Sequence, residues 1–221
     1  MKKLFLSLFA LLALTLVSSC NNEEPLFPDD QPEEVTTRGE AHYVTQTGEI
    51  VWLWYVYNKS YVVFHSSNKD IVLSKLQAMG IEATDKMVQE SDLLQCSAMF
   101  DVKTKAFDAQ QEYLHIQVEG NYEKILEIPE VSYACPFLND GNSVYPMTDL
   151  FYVYTDNAPS LEAMANENKA KVVGKIGGLG IPMWVVACDR NSTKNSLDMA
   201  NAFSKSGLFD GAEPAVPSMG F

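Results

Sequence analysis

Three histidines, His42, His65 and His115, are the residues of this chain that could act as a general base in a hydrolase. Such an enzyme needs a nucleophile, a base and a third group that orients the base. No such partners are recognisable around any of the three. His42 opens a predicted hairpin, His65 ends a predicted strand, and His115 alternates with Leu114 and Ile116. We therefore expect His115 to point away from the apolar face, toward solvent.

Catalytic and ligand-binding motifs are also missing from the sequence. It contains no GxSxG, no HExxH and no phosphate-binding loop. The glycines of "GKIGGLG" join two predicted strands, so they indicate a hairpin turn and offer a phosphate no helix N-terminus. No Cys or His spacing fits a metal site, and no acidic loop fits calcium. The sequence therefore predicts a protein that is not an enzyme and has no cofactor or metal.

The segment "VWLWYVY" concentrates aromatic side chains that could contact a ligand. Trp52 and Trp54 alternate with Ile50 onto one face of the predicted hairpin. If they face solvent beside a cleft, they form a platform for a sugar ring. If they face inward, they line the hairpin against the first predicted domain, which is the more usual role of alternating aromatic residues. The sequence leaves both interpretations open.

The N-terminus predicts export and a lipid anchor. Residues 1–19 form a signal peptide whose apolar run is too short to span a bilayer comfortably. The ending "LVSSC" resembles a bacterial lipobox, so Cys20 would become the acylated first residue. The acidic residues 20–38 read as a disordered tether. They also resemble a surface-export signal, which predicts an outer-membrane lipoprotein at the cell surface, with the periplasmic face as the alternative.

The charge of the chain limits its partners. Sixteen basic and 29 acidic residues give a net charge of −13, and removal of Lys2 and Lys3 with the signal peptide leaves −15. A surface with this much negative charge disfavours nucleic acid as a partner. The predicted contact with the membrane is therefore the lipid anchor. Three cysteines follow the anchor, so one disulfide at most is formed. Cys96 and Cys188 stand in apolar surroundings that predict buried thiols, while pairing of Cys96 with Cys135 stays open.

The apolar pattern from residue 39 onward predicts two halves with one order of elements. After a hairpin over 39–57, the first half reads as strand "SYVVFHS", helix "DIVLSKLQAMG", strand "ATDKMVQ", strand "EYLHIQVEG", helix "NYEKILEI" and strand "VSYACPFL". The second half reads as "DLFYVYT", helix "PSLEAMANENKA", "KVVGKI", "PMWVVACD", helix "NSLDMANAFSKSG" and "LFDGAEPAV". Each half spells β-α-β-β-α-β, the ferredoxin-like order.

We therefore predict an α+β protein of two tandem ferredoxin-like units with antiparallel sheets, preceded by the hairpin. The hairpin and first unit span 39–145, and the second unit spans 146–221. The closing strands "VSYACP" and "FDGAEP" correspond, with an apolar residue, an alanine and a proline at equal spacing: Val131, Ala134 and Pro136 against Phe209, Ala212 and Pro214. A proline suits the edge of a sheet because it donates no ladder hydrogen bond.

The second half resembles the fervidolysin-type N-terminal prodomain of Bacteroidetes subtilisin-like serine peptidases. The similarity rests on an "FYV" strand, a "P-x-W" strand, "NS…N" before a helix, "GLF" and a closing "AEP". The matching positions are Phe151, Tyr152, Val153, Pro182, Trp184, Asn191, Ser192, Asn195, Gly207, Leu208, Phe209, Ala212, Glu213 and Pro214. The upstream "TGEIVWL" is similar as well, whereas the rest of the first half matches only loosely.

The resemblance implies an inhibitor or folding chaperone of a subtilisin-like peptidase. In that family the sheet packs on the enzyme, and the C-terminal segment lies along the substrate cleft as an added strand. Because the chain ends soon after "AEP", we expect a unit without an attached enzyme that acts in trans. The cleft-binding tail would comprise Glu213, Pro214, Ala215, Val216, Pro217, Ser218, Met219, Gly220 and Phe221. The alternative is a surface protein that binds a glycan or another partner through Trp52 or Trp54.

Overall fold

The computed structural model describes residues 40–215, except 92, 94–96, 179 and 181. The strands are β1 Glu40–Val44, β2 Ile50–His65, β3 Val88–Glu90, β4 Phe100–Lys103, β5 Tyr113–Glu119, β6 Val131–Asn139, β7 Val144–Pro146, β8 Leu150–Tyr154, β9 Lys171–Ile176, β10 Met183–Ala187 and β11 Gly211–Pro214. The helices are α1 Lys69–Ala78, α2 Lys105–Gln110, α3 Tyr122–Leu126, α4 Ala158–Glu167 and α5 Ser196–Lys205.

The fold is α+β with two antiparallel sheets. Sheet 1 has the strand order β3-β5-β2-β6-β7, and β1 pairs with the first part of β2. Sheet 2 has the order β11-β8-β10-β9-β4. The predicted class and its antiparallel sheets are therefore confirmed.

Helix starts follow the side chains that the sequence offers as caps. Asn121, Asn157 and Asn195 precede α3, α4 and α5, and each side-chain oxygen accepts hydrogen bonds from the first-turn N–H groups. These bonds satisfy donors that have no partner within the helix. Asn68 precedes α1 but makes no such side-chain bond.

Apolar cores lie on both faces of sheet 1. On one face, Val62 and Ile116 pack against Leu76 of α1 and Ile125 of α3. On the other face, a continuous core joins sheet 1 with α4, α5 and the inner face of sheet 2. Its largest fully buried members include Leu53, Phe151, Leu161, Leu197 and Phe203. The two predicted halves are thus joined by one core.

Helix α5 lies between the β1–β2 hairpin and sheet 2, since it contacts β1 as well as β8 and β11. Five of its ten residues are buried, and these are Ser196, Leu197, Met199, Ala200 and Phe203. Polar contacts fix its first turn: Ser196 Oγ donates to the Thr148 carbonyl at 2.6 Å, and the Ser196 N–H donates to the Tyr133 hydroxyl at 3.2 Å.

Arg190 forms a second link between the halves. Its Nη1 donates to the carbonyls of Ile128, Pro129 and Val131 at 3.1, 2.6 and 3.0 Å, and its Nη2 donates to that of Leu126 at 2.9 Å. These carbonyls lie at or just after the end of α3. There the carbonyl groups have no N–H donor within the helix, and the helix dipole favours a cation.

Several features differ from the sequence-based expectations. The hairpin strand and "SYVVFHS" form one strand of 16 residues, β2, whose pairing with β6 shifts register between Val56 and Ser60. Pro136 lies one residue before the part of β6 that pairs with β7, so its outer side is unpaired as expected; it stands opposite Ser60, where that register shift occurs. Pro214 does lie in an edge strand. Strand β4 falls within the range predicted for the first unit but pairs with β9 in sheet 2.

Some predicted features lie outside the described residues. They are the signal peptide, Cys20, the tether 20–38, Cys96 and the tail residues 216–221.

Replacing Phe203 with alanine should lower the free energy of unfolding by about 3–5 kcal/mol, because it empties a site in the core that joins the two sheets. The ring is fully buried against Phe151 and Phe209, with centroids 5.1 and 5.5 Å away. Urea denaturation measures the loss. The control is Leu208→Ala, at a side chain 56% exposed, which should change the free energy by about 0.5 kcal/mol or less. Equal effects of the two substitutions would contradict the assigned core.

Candidate functional site

The strongest candidate site is an open groove between the β1–β2 hairpin and α5, with a volume of about 430 Å³. This volume falls in the range of small-ligand sites, roughly 300–1,000 Å³. Six larger side chains line it, namely His42, Tyr55, Lys194, Asp198, Asn201 and Lys205. Ala41 and Ala202 also line it, and their short side chains leave the space between strand and helix open.

The helix wall of the groove comes from one face of α5. Positions 198, 201 and 205 are spaced three and four residues apart, which places them on one side of the helix, and Lys194 lies just before the helix cap. Asn201 fixes the helix to the strand, because its Nδ2 donates to the His42 carbonyl at 2.6 Å. Asp198 is held near the helix start, where its Oδ2 accepts from Asn195 Nδ2 at 3.0 Å.

Two of the lining residues, His42 and Tyr55, carry rings, and further aromatic rings pack against them outside the groove. His42 packs against Trp52, with ring centroids 5.1 Å apart, and 49% of Trp52 is exposed. Tyr55 contacts Tyr57 at 5.6 Å, and Tyr57 stacks on Tyr122 at 6.5 Å. Rings of this kind offer an apolar face to a ligand while their polar atoms reach water.

The charged groups of the groove are two lysines and one aspartate. Neither Lys194 nor Lys205 forms an ion pair with any residue in the described part of the chain. Burial, followed by the nearby Asp198 carboxylate, raises the pKa of Tyr55, so its hydroxyl stays protonated and available as a donor.

The sequence indicated the hairpin wall of this site. Trp52 faces solvent and packs on His42, but alternation places it on the face of β2 opposite to Tyr55, and it does not line the groove. Trp54 is only partly exposed. The predicted hairpin is present, with His42 opposite Trp52 and Glu40 opposite Trp54. The residues on α5 were missed. Their helical spacing was visible in the sequence, but nothing there showed that this face lies beside the hairpin.

The first three residues of the predicted tail belong to sheet 2 or its immediate end. Glu213 and Pro214 pair with β8, and a side-chain oxygen of Glu213 accepts from the Gln46 N–H. Ala215 is buried; its N–H donates to the Leu150 carbonyl at 3.0 Å. Its carbonyl accepts from Thr148 Oγ1 at 2.7 Å. A tail distinct from the sheet therefore begins no earlier than residue 216, and 216–221 lie outside the described residues.

The expectation that His115 faces solvent is wrong. Its side chain is 3% exposed, stacks on Tyr61 with centroids 4.9 Å apart, and shares a hydrogen bond with Gln89 Oε1 at 3.0 Å. Alternation places it opposite Val63, on the face of sheet 1 that packs against the second half. A strand covered on both faces buries both of its alternating sets of residues.

His65 is more exposed and lies elsewhere in the fold. Its ring nitrogens contact Glu112 Oε2 at 2.7 Å and Ser67 Oγ at 2.8 Å.

Cys188 borders a small enclosed cavity of about 10 Å³, together with Asp149, Tyr133 and Lys171. This space suits a single water molecule at most. Cys188 and Cys135 are buried free thiols, as predicted for Cys188. Burial raises the pKa of both, and Asp149 adds to the effect. A thiol with a raised pKa is a poor nucleophile at neutral pH.

Within the described ranges, no group of three His, Cys, Asp or Glu side chains could hold a metal ion. None of the helices in that part of the chain has the length and apolar character needed to cross a bilayer. No family model, curated protein or solved structure matches this chain.

The buried thiols should make the protein less stable in alkali. An unfolded thiol ionises near a pH of about 8.5, whereas burial keeps Cys135 and Cys188 protonated in the folded chain. Below that pH the thiols are protonated in both the folded and the unfolded chain, so their stabilising contribution is fully present. As the pH rises toward the folded pKa, only the unfolded thiols ionise, and the free energy of unfolding falls by about 2 kcal/mol per thiol at a pH of about 10. Urea denaturation across this range measures the loss.

The control is the double variant Cys135→Ala/Cys188→Ala. It should lose about 4 kcal/mol less than the native chain over the same pH range, because both titrating groups are gone. An identical pH dependence in the two proteins would contradict the assignment.

Proposed function

We propose that the protein is a non-catalytic lipoprotein, anchored at Cys20, that acts in trans on a subtilisin-like peptidase as an inhibitor or folding chaperone. Its contact with the enzyme would run through the end of sheet 2 and the residues that follow. Outer-membrane location and surface exposure form part of the same proposal, and they rest on the sequence of residues 1–38.

The strand orders support a finer description of the fold, as two ferredoxin-like units. If β8, β9, β10 and β11 are numbered one to four in chain order, their order across the sheet is 4-1-3-2, with α4 and α5 in the crossovers. Strands β2, β3, β5 and β6 have the same arrangement, with α1 and α3. This is the order of the split β-α-β motif, and it agrees with the prodomain resemblance of the second half.

The position of β11 carries the proposal. It is the last described strand, it forms an edge of sheet 2, and its end is fixed by the two backbone hydrogen bonds of Ala215. Residues 216–221 therefore start from a rigid edge, and six residues span at most about 20 Å when extended. A segment of that length fits a substrate cleft as an added strand, and Pro217 would reduce the entropy lost on binding.

The outer face of sheet 2 limits how a peptidase could dock. Phe100 packs over Gly174 and Phe107 packs against Phe100, so the two rings cover the β9 side of this face. Tyr152 and Met183, on β8 and β10, are only partly buried. Docking would therefore use the half of the face formed by β8, β10 and β11.

A second candidate function is binding of a glycan at the cell surface. The half-exposed Trp52, whose ring packs on the lining residue His42, favours it, since an exposed aromatic ring can serve as a sugar platform.

Inhibition of subtilisin-type peptidases tests the first proposal. The mature chain should inhibit at least one peptidase of a panel that includes those of the same cell. A chain ending at Ala215 should inhibit it roughly 100-fold less, since several main-chain hydrogen bonds and a pocket contact are lost.

Trp52→Ala serves as the matched control and should inhibit like the unaltered chain, because Trp52 lies on the hairpin and not on sheet 2. Thermal unfolding of the shortened chain checks that β11 is intact. Equal inhibition by the full and shortened chains would exclude the tail as the inhibitory segment. Inhibition by neither would reject the peptidase proposal.

A further inference from the structure

We propose that the groove between β1 and α5 binds a carboxylated oligosaccharide, held by Lys194 and Lys205 at its two ends. This assignment rests on the second candidate function, and it is independent of the peptidase proposal. It names the ligand class and the residues that would recognise it.

Charge is the first argument. The whole chain has a net charge of −13, so an anionic ligand is repelled over much of its surface. The groove reverses this balance, with two lysines against one aspartate. Because both ammonium groups lack an ion-pair partner in the described part of the chain, neither has to leave another carboxylate in order to bind the ligand.

The shape of the site indicates an elongated ligand. Lys194 directly precedes the cap of α5, and Lys205 is its last residue. The helix rises about 15 Å over this length, so a single small anion could contact both lysines only if both side chains turned toward the middle of the groove, beside Asp198. A chain of linked sugar rings with more than one carboxylate can contact both lysines.

The middle of the groove disfavours a uniformly acidic chain such as a glutamate-rich peptide. Asp198 stands between the lysines and would repel a carboxylate placed beside it. Its carboxylate accepts hydrogen bonds, and the Tyr55 hydroxyl can donate one. Hydroxyl groups of a sugar satisfy both kinds of partner.

The groove is also largely preformed. The Asn201 amide joins helix and strand through the His42 carbonyl, and the His42 ring is packed on Trp52. Few side chains have to be ordered when a ligand enters, so less conformational entropy is lost.

Calorimetric titration of the mature chain tests the inference, with three probes of similar length. They are an oligogalacturonate, a neutral galacto-oligosaccharide and an oligoglutamate peptide. The oligogalacturonate should bind about tenfold more tightly than the neutral sugar, since an exposed ion pair contributes about threefold at each lysine. Added salt should remove this advantage by screening.

Two double variants separate the groove from the rest of the surface. K194Q/K205Q should bind the two sugars about equally. K86Q/K105Q removes the same charge from exposed positions outside the groove and should keep the tenfold preference. Trp52→Ala should leave the preference unchanged, because Trp52 does not line the groove.

The outcomes distinguish the assignment to acidic sugars from the broader proposal of glycan binding. Binding of both sugars with equal affinity would overturn the assignment to acidic sugars and would leave glycan binding standing. Binding of neither sugar would overturn both the assignment to acidic sugars and the proposal of glycan binding. Binding of the oligoglutamate as tightly as the oligogalacturonate would overturn the ligand class.

Discussion

The burial of α5 between the β1–β2 hairpin and sheet 2 is the constraint on which the rest of the structure depends. A helix covered on one side needs a single apolar stripe, whereas this helix buries half of its residues and fixes its first turn through Ser196. The same core explains why sheet 1 is covered on both faces, and hence why His115 is buried. Arg190 also links the two halves, because its guanidinium donates hydrogen bonds to carbonyls at and just after the end of α3.

Both candidate binding surfaces are built on this junction. The groove exists because the hairpin lies along α5 while the short side chains of Ala41 and Ala202 leave the space between them open. Strand β11 is held against α5 and β8, which fixes the point from which residue 216 continues. Sugar binding and peptidase binding would therefore use different surfaces of one scaffold, and neither requires a catalytic group.

The sequence predicts what depends on local pattern and misses what depends on which surfaces meet. Apolar spacing located α3, α4 and α5, and alternation located most strands. No periodicity could show that β4 crosses to sheet 2, since pairing partners are not encoded in a strand's own pattern. Alternation singled out Trp52, which is exposed and packs on His42 but does not line the groove. The helical spacing of Asp198 and Asn201 is visible in the sequence. That this face of α5 lies beside His42 follows only from the packing of the helix in the core.

Native-state hydrogen exchange of the mature chain tests most directly whether the two sheets form one scaffold around α5. Exchange of the most protected amides of β2 and β10 should occur at the same free energy, equal to that of global unfolding, because their side chains share one core. Both sets should shift together as denaturant is added. Exchange of β10 and α5 through a partial opening that leaves β2 protected would contradict the account, because the sheets would then be separate units with no fixed groove between hairpin and helix.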